Sequence, residues 1–125
     1  MRIEPDNKYR KTPCSYIGIG CAYENIYGRD FDVLKSEDLS SYPFVKDIDK
    51  YIRQYFKVDD MHYLKGSERI TFKQFLATNT KECLVYVYGH FMYVNGKDYW
   101  SFYNVDHCEV VCIWYLDEVH YEFIE

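Results

Sequence analysis

Leu84-Val85-Tyr86-Val87-Tyr88-Gly89-His90-Phe91-Met92-Tyr93-Val94-Asn95-Gly96-Lys97 reads as strand, turn, strand, turn. Its β-branched and aromatic residues suit a pleated, packed surface, and no helical period of 3.6 runs through it. Two strands are expected, Leu84–Tyr88 and His90–Val94. Asn95-Gly96 is a strong hairpin signal because both central turn positions favour φ > 0. Lys97 to Tyr103 should then return antiparallel, and Glu109 to Leu116, with Val110-Val111-Cys112-Ile113-Trp114-Tyr115, supplies a last strand. A two-residue turn pairs 94 with 97, 92 with 99 and 90 with 101, which puts Ser101 on the His90 face. A three-residue loop puts Asp98 and Trp100 there instead.

Upstream of this block the periodicity is helical. Residues 1–12 are polar, carry Pro5 and read as an extended lead-in. Thr12-Pro13-Cys14 reads as a helix start, with Thr12 as N-cap and Pro13 at the first helical position. The helix is expected to reach about Tyr27 along a stripe of Ile19, Tyr23, Ile26 and Tyr27, with Gly28 as C-cap. Gly18 and Gly20 each cost it roughly 1 kcal/mol relative to Ala. Close approach of another element would compensate, so this helix should be buried.

Residues 29–42 form a polar connection with a short helical turn near Phe31-Leu34. Pro43 then opens a helix whose Phe44, Ile48, Tyr51, Ile52, Tyr55 and Phe56 recur every three or four residues, opposite Lys46, Asp49, Lys50 and Arg53. Met61 to Lys65 is a short strand candidate. Thr71-Phe72-Lys73-Gln74 fits a capping box, with Phe72, Phe75 and Leu76 as the buried face of a third helix. Helices first and antiparallel strands second make the class α+β, with N-terminal helices packed on a C-terminal antiparallel sheet. The 125 residues are expected to form one domain, with 117–125 as a tail.

Composition narrows the function. The net charge is −5, and Lys and Arg are scattered among the acids, so no basic stripe invites a nucleic acid. No run of about 18 apolar residues suggests a membrane span, and the N-terminus lacks the apolar core of an export signal. Five cysteines without export context point to reduced thiols, hence a cytoplasmic location. His107-Cys108-x3-Cys112 with Cys83 could supply four zinc ligands. Cys112 lies in an apolar strand, however, and no CxxC pair exists, so neither metal nor other cofactor is expected.

Two residues stand out as chemistry. A thiol at a helix start, as at Cys14, feels unpaired N–H groups and the positive end of the helix dipole, which favour thiolate and can hold an oxyanion. A free cysteine more often simply packs. His90 follows a glycine where a strand begins, so its side chain can stand at the sheet's end and meet a helix terminus.

Cys14 opening an N-terminal helix, followed by Gly89-His90-Phe91-Met92-Tyr93-Val94-Asn95-Gly96-Lys97-Asp98-Tyr99-Trp100, resembles the papain-like cysteine peptidase superfamily. In size it is most similar to compact bacterial and phage-encoded members, such as the bacterial cell-wall endopeptidases. Val110-Val111-Cys112-Ile113-Trp114 resembles the last strand of the small phage-encoded ones, and the resemblance spans residues 12–116. It implies Cys14 as nucleophile, His90 as general base, and an orienting group at Ser101 or Asp98, where the family usually carries Asp, Asn, Gln or His. Asn7 is the only amide near the place of an upstream oxyanion donor. A peptide or protein substrate is implied, in the host cytoplasm if the protein is phage-encoded.

Fifteen tyrosines, among 20% aromatic residues, support another class of function. Tyr86, Tyr88, Tyr93, Tyr99, Trp100 and Tyr103 lie on adjacent strands, and such side chains anchor interfaces as readily as they fill cores. The alternative is therefore a catalytically degenerate module of the same fold. A phage protein that inhibits a host protein through a tyrosine-rich acidic surface is one form of it.

Overall fold

The computed structural model describes residues 1–10, 12–31, 45–58 and 60–116. It contains β1 (Arg2–Ile3), α1 (Cys14–Tyr27), α2 (Val45–Tyr55), β2 (His62–Tyr63), α3 (Phe72–Thr78), β3 (Glu82–Val87), β4 (His90–Asn95), β5 (Asp98–Trp100) and β6 (Val110–Tyr115). The strands form one six-stranded sheet in the order β1-β5-β4-β3-β6-β2. The class is α+β. No helix among the described residues is long and apolar enough to cross a membrane. The expected turn near Phe31-Leu34, the Pro43 opening with Phe44, the Lys46 side chain and the tail with His120 lie outside the described residues.

Two expectations about the sheet need correcting. It is mixed rather than purely antiparallel, because β1 runs parallel to β5, with Arg2 opposite Tyr99 and Ile3 opposite Trp100. The lead-in therefore carries the edge strand, followed by a 3-10 turn at Asn7–Tyr9 that Asp6 caps. A two-residue strand has too little period to be seen in sequence. The helices also do not share one face. α1 and α2 cover the face carrying Leu84, Phe91, Tyr93, Cys112 and Trp114. α3 covers the other, against Cys83, Val85, Val87, Met92, Val94, Val110 and Ile113. Sheets covered on both faces have strands that read as continuous apolar runs, as Phe91–Val94 and Val110–Trp114 do here.

The hairpin between β4 and β5 turns one residue later than Asn95-Gly96. Asn95 pairs with Asp98, Val94 with Tyr99 and Tyr93 with Trp100, leaving Gly96 and Lys97 in the turn. Gly96 has φ of 64°, so the glycine takes the first turn position and Asn95 stays in the strand. Sliding the turn by one residue changes each pairing by two, so face assignment survives and Ser101 still shares a face with His90. Tyr88 also moves, from strand to turn: Val87 pairs with His90 around Tyr88-Gly89, and Gly89 has φ of 89°.

α1 lies against the middle of the sheet, mainly β4, and every residue from Ser15 to Ala22 is buried. Its glycines explain the fit. A Cβ on Gly18 would stand 2.5 Å from the Phe91 ring, and one on Gly20 would overlap the Tyr9 hydroxyl. α2 docks beside α1 through Tyr51 on Tyr16 and Tyr55 on Tyr23, and Trp114 Nε1 donates to Asp49 Oδ1 at 2.9 Å, tying α2 to β6. α3 begins as expected: Gln74 N–H donates to Thr71 Oγ1 (3.2 Å) and Thr71 N–H to Gln74 Oε1 (2.9 Å).

Candidate functional site

The start of α1 differs from expectation by one position. Pro13 is the N-cap residue, with extended backbone, and Cys14 is the first helical residue. The Pro13 carbonyl accepts from Tyr16 N–H and Ile17 N–H, and the Thr12 hydroxyl turns back to the Tyr9 carbonyl at 2.7 Å instead of capping. The N–H groups of Cys14 and Ser15 are left over by the helix, as helix geometry requires, and both act on the Cys14 sulfur.

A third N–H reaches that sulfur from Phe91. The register explains its availability. Asn95 and Asp98 close a two-residue turn, so Asn95 directs its backbone groups toward β5, and alternate residues Tyr93 and Phe91 do the same. Tyr93 meets Trp100, but β5 ends there. Phe91 thus has an N–H pointing at a strand that has left, open to act on the Cys14 thiol.

Burial pushes the Cys14 thiol above its ordinary value, and the Phe91, Cys14 and Ser15 N–H groups offset part of that rise. Burial alone pulls His90 below 6.5. Thiol and imidazole are therefore both neutral near pH 7, in contrast to the thiolate expected from the helix dipole. Desolvation outweighs the dipole because Cys14 packs against the main core cluster. The two groups are not hydrogen-bonded to each other, and alternation along β4 puts the His90 side chain on the α3 face with Val87, Met92 and Val94, whereas Cys14 packs on the α1 face with Phe91 and Tyr93.

The orienting position is occupied by Ser101. Its hydroxyl lies 3.1 Å from His90 Nε2, donates to the Tyr103 carbonyl at 2.8 Å and accepts from Tyr103 N–H at 3.0 Å. The one hydroxyl proton is committed to Tyr103, so Ser101 must accept from His90. Nε2 then carries the imidazole proton and Nδ1 the lone pair. The Tyr103 ring stands edge-on to the imidazole, 6.1 Å between centroids. Asp98 is placed at the far end of the hairpin, with its carboxylate 3.5 Å from the Met1 amine. Asn7 is exposed and accepts from Arg10 Nε.

The remaining sulfur and imidazole groups are dispersed. Cys83 lies under α3 and Cys112 under α1, on opposite faces of the sheet. His107 Nε2 is 3.9 Å from Cys108 Sγ, and His62 packs on Tyr115. Among the described residues no three His, Cys, Asp or Glu side chains are placed to hold a metal ion. Two surface hollows lie away from Cys14 and His90. One of about 290 Å³ is lined by Glu4, Asp6, Cys21, Glu24, Asn25 and Trp100, and one of about 340 Å³ lies between α3 and β6.

Sequence reasoning missed Phe91 N–H and the Tyr103 backbone. The first depends on where β5 ends, which no residue type marks. The second had a local signal, since a serine often accepts from the N–H two residues on. No protein-family model matches the chain, and no curated protein or solved structure is detectably similar to it.

Proposed function

We propose that the chain is a papain-like cysteine hydrolase that cleaves an amide or peptide bond through Cys14 and His90. The observation that carries this reading is the chain of hydrogen bonds from His90 Nε2 through Ser101 Oγ to the Tyr103 carbonyl. It holds the imidazole with its basic Nδ1 free, on the strand whose next N–H holds the thiol. A general base must be unprotonated at working pH, and a depressed His90 is.

This mechanism requires the His90 side chain to reach the thiol past the end of β5; the thiol then gives its proton to Nδ1 as sulfur attacks the carbonyl carbon. The Cys14 and Ser15 N–H groups, left over at the helix start, are the donors that would serve the developing oxyanion. The imidazolium returns the proton to the leaving nitrogen as the C–N bond breaks, giving amine and thioester. Water, deprotonated by the same nitrogen, then releases the acid and restores the thiol. Ser101 orients His90 without exchanging a proton with substrate.

Tyr88 and Tyr103, 75% and 67% exposed on either side of His90 in sequence, favour the second reading, a binding module built on the same fold. Iodoacetamide labelling with peptide mapping separates the two. A working pair makes Cys14 react faster at pH 7.5 than Cys21, Cys83, Cys108 and Cys112. The rate then falls as pH drops through the His90 value below 6.5, where Nδ1 is protonated. Cys14→Ser should abolish hydrolysis and keep the fold. Five thiols reacting slowly and alike would sink the hydrolase reading.

A further inference from the structure

We propose that the hollow of about 290 Å³ beside the second half of α1 binds an alkylammonium group, carried by a free amine or by the lysine side chain of a protein partner. The site is separate from Cys14 and His90 and does not rest on the hydrolase reading. Its walls come from three places: Glu4 and Asp6 from the chain after β1, Cys21, Glu24 and Asn25 from α1, and Trp100 from the end of β5. Trp100 packs on Tyr93, 4.7 Å between ring centroids, which fixes the indole as one wall. A volume near the lower limit of small-molecule sites suits one side chain or one small amine.

Charge and an unpaired buried oxygen point to the ligand's chemistry. The hollow carries three carboxylates, and the nearby cations satisfy them only in part. Lys8 Nζ is shared between Glu24, Asp30 and the Phe31 carbonyl, while Glu4 has Arg10 Nη2 at 3.6 Å, a pair too long and too exposed to hold it firmly. Burial raises the Cys21 thiol, and Glu24 and Asp6 add to the rise against Lys8, so this wall faces a negative field. Tyr9 is fully buried, and its hydroxyl, seated on Gly20, has no hydrogen-bond partner among the described residues. The charges that act on that hydroxyl are those of Glu24 and Cys21, two walls of the hollow, with Glu24 close but outside hydrogen-bond geometry. An ammonium donor on that side supplies what the Tyr9 oxygen lacks. The carboxylates ring a space and do not converge on a point, since among the described residues no three His, Cys, Asp or Glu side chains are placed to hold a metal ion. An organic cation fits such a ring, with its alkyl stem on the indole and its charge among the carboxylates.

Nitrogen-15 spectra of the indoles read this site directly, because the chain has two tryptophans and Trp100 is the one that lines the hollow. Trp114, bonded to Asp49 in the core, is the internal reference for the fold. Putrescine and a short end-capped peptide carrying one lysine are titrated separately, with butanol as the uncharged control and Ca²⁺ as a bare cation. The Trp100 signal is expected to shift saturably with at least one of the two amines, while Trp114 stays in place and neither control acts. The amine that saturates at lower concentration names the source, a free amine or a lysine-bearing partner. Glu4→Lys, which sets a cation on the exposed rim, should weaken that binding by roughly three- to fivefold, and salt should erode it. A Trp100 signal that stays still under both amines, or moves as far with Ca²⁺, overturns the assignment. So does unchanged affinity in Glu4→Lys with the Trp114 signal in place.

Discussion

Replacing Ser101 by alanine removes one oxygen on which three groups converge, and the structure allows both consequences to be worked out. Ser101 is buried, and its hydroxyl serves His90 Nε2, Tyr103 N–H and the Tyr103 carbonyl. The Tyr103 backbone is near enough to the surface for water to replace part of what it loses. A cost of about 2 kcal/mol follows, between one ordinary hydrogen bond and a fully unsatisfied buried pair. For a chain of this size that lowers Tm by about 6–10 °C. The chemical effect is separate: losing one neutral hydrogen bond of ~1 kcal/mol that aligns the base slows Cys14 alkylation about fivefold.

The two effects are separable by experiment. Urea melts give the stability loss, and iodoacetamide labelling of Cys14, normalised to the native fraction, gives the chemical one. Nitrogen-15 spectra of the imidazole report the tautomer, which should be Nε2–H in the wild type and lose its bias in Ser101→Ala. A wild-type spectrum showing Nδ1–H would refute the reasoning, because Ser101 would then be the donor and Nδ1 could not accept the thiol proton. A normal stability loss with unchanged labelling would leave Ser101 as a loop staple only.

Gly20→Ala tests the close approach of α1. Alanine should gain about 1 kcal/mol of helix propensity, yet its methyl overlaps the Tyr9 hydroxyl, and the ring is fully buried with nowhere to swing. A net loss of about 1–3 kcal/mol in urea melts is expected; a stabilised variant would mean that Tyr9 does not pack there. The buried thiols set an alkaline limit. Burial pushes Cys21 up to about 12 and Cys112 up to about 11, with Glu24 adding to the first and Arg69 partly offsetting the second. The native state holds these protons where the unfolded chain releases them. Their contribution is whole below pH 9 and is lost between pH 9 and 11–12, at up to about 1.4 kcal/mol per pH unit for each thiol. Cys21→Ala with Cys112→Ala should flatten the stability curve above pH 9, and an unchanged slope would count against both shifts.

Much of the scaffold was legible because its signals are local. The Thr71–Gln74 capping box, the β-branched and aromatic run of Leu84–Val94 and the glycine pair of α1 each carry their own physical reason, and each appears in the structure. What stayed illegible depends on partners distant in sequence. β1 is two residues long and exists only because β5 offers an edge, and no sequence period distinguishes it from an extended lead-in. The division of helices between two faces was hidden for the same reason: strands buried on both sides carry no alternation to say which face waits for which helix. At the site, Ser101 was placed beside His90 through a register one step wrong, which parity forgave. The protonation state was misjudged, since dipole and N–H donors are visible at a helix start while desolvation depends on the completed core.

The early end of β5 ties these features into one cause. A longer β5 would pair residue 102 with Phe91, satisfy the Phe91 N–H within the sheet and carry the chain past His90 in extended form. Instead the chain turns at Ser101, whose hydroxyl takes Tyr103 N–H and gives its proton to the Tyr103 carbonyl. One departure thereby frees an N–H for the thiol, forces the serine oxygen to accept from the imidazole, and swings Phe102 to the side where Arg10 stacks on it. The site's polar groups are those a finished sheet would have consumed. Restoring the strand is therefore expected to damage the chemistry while leaving the secondary structure in place. A Ser101→Val variant, which favours extended backbone and removes the hydroxyl, should lose selective Cys14 labelling while its far-ultraviolet spectrum stays that of the wild type.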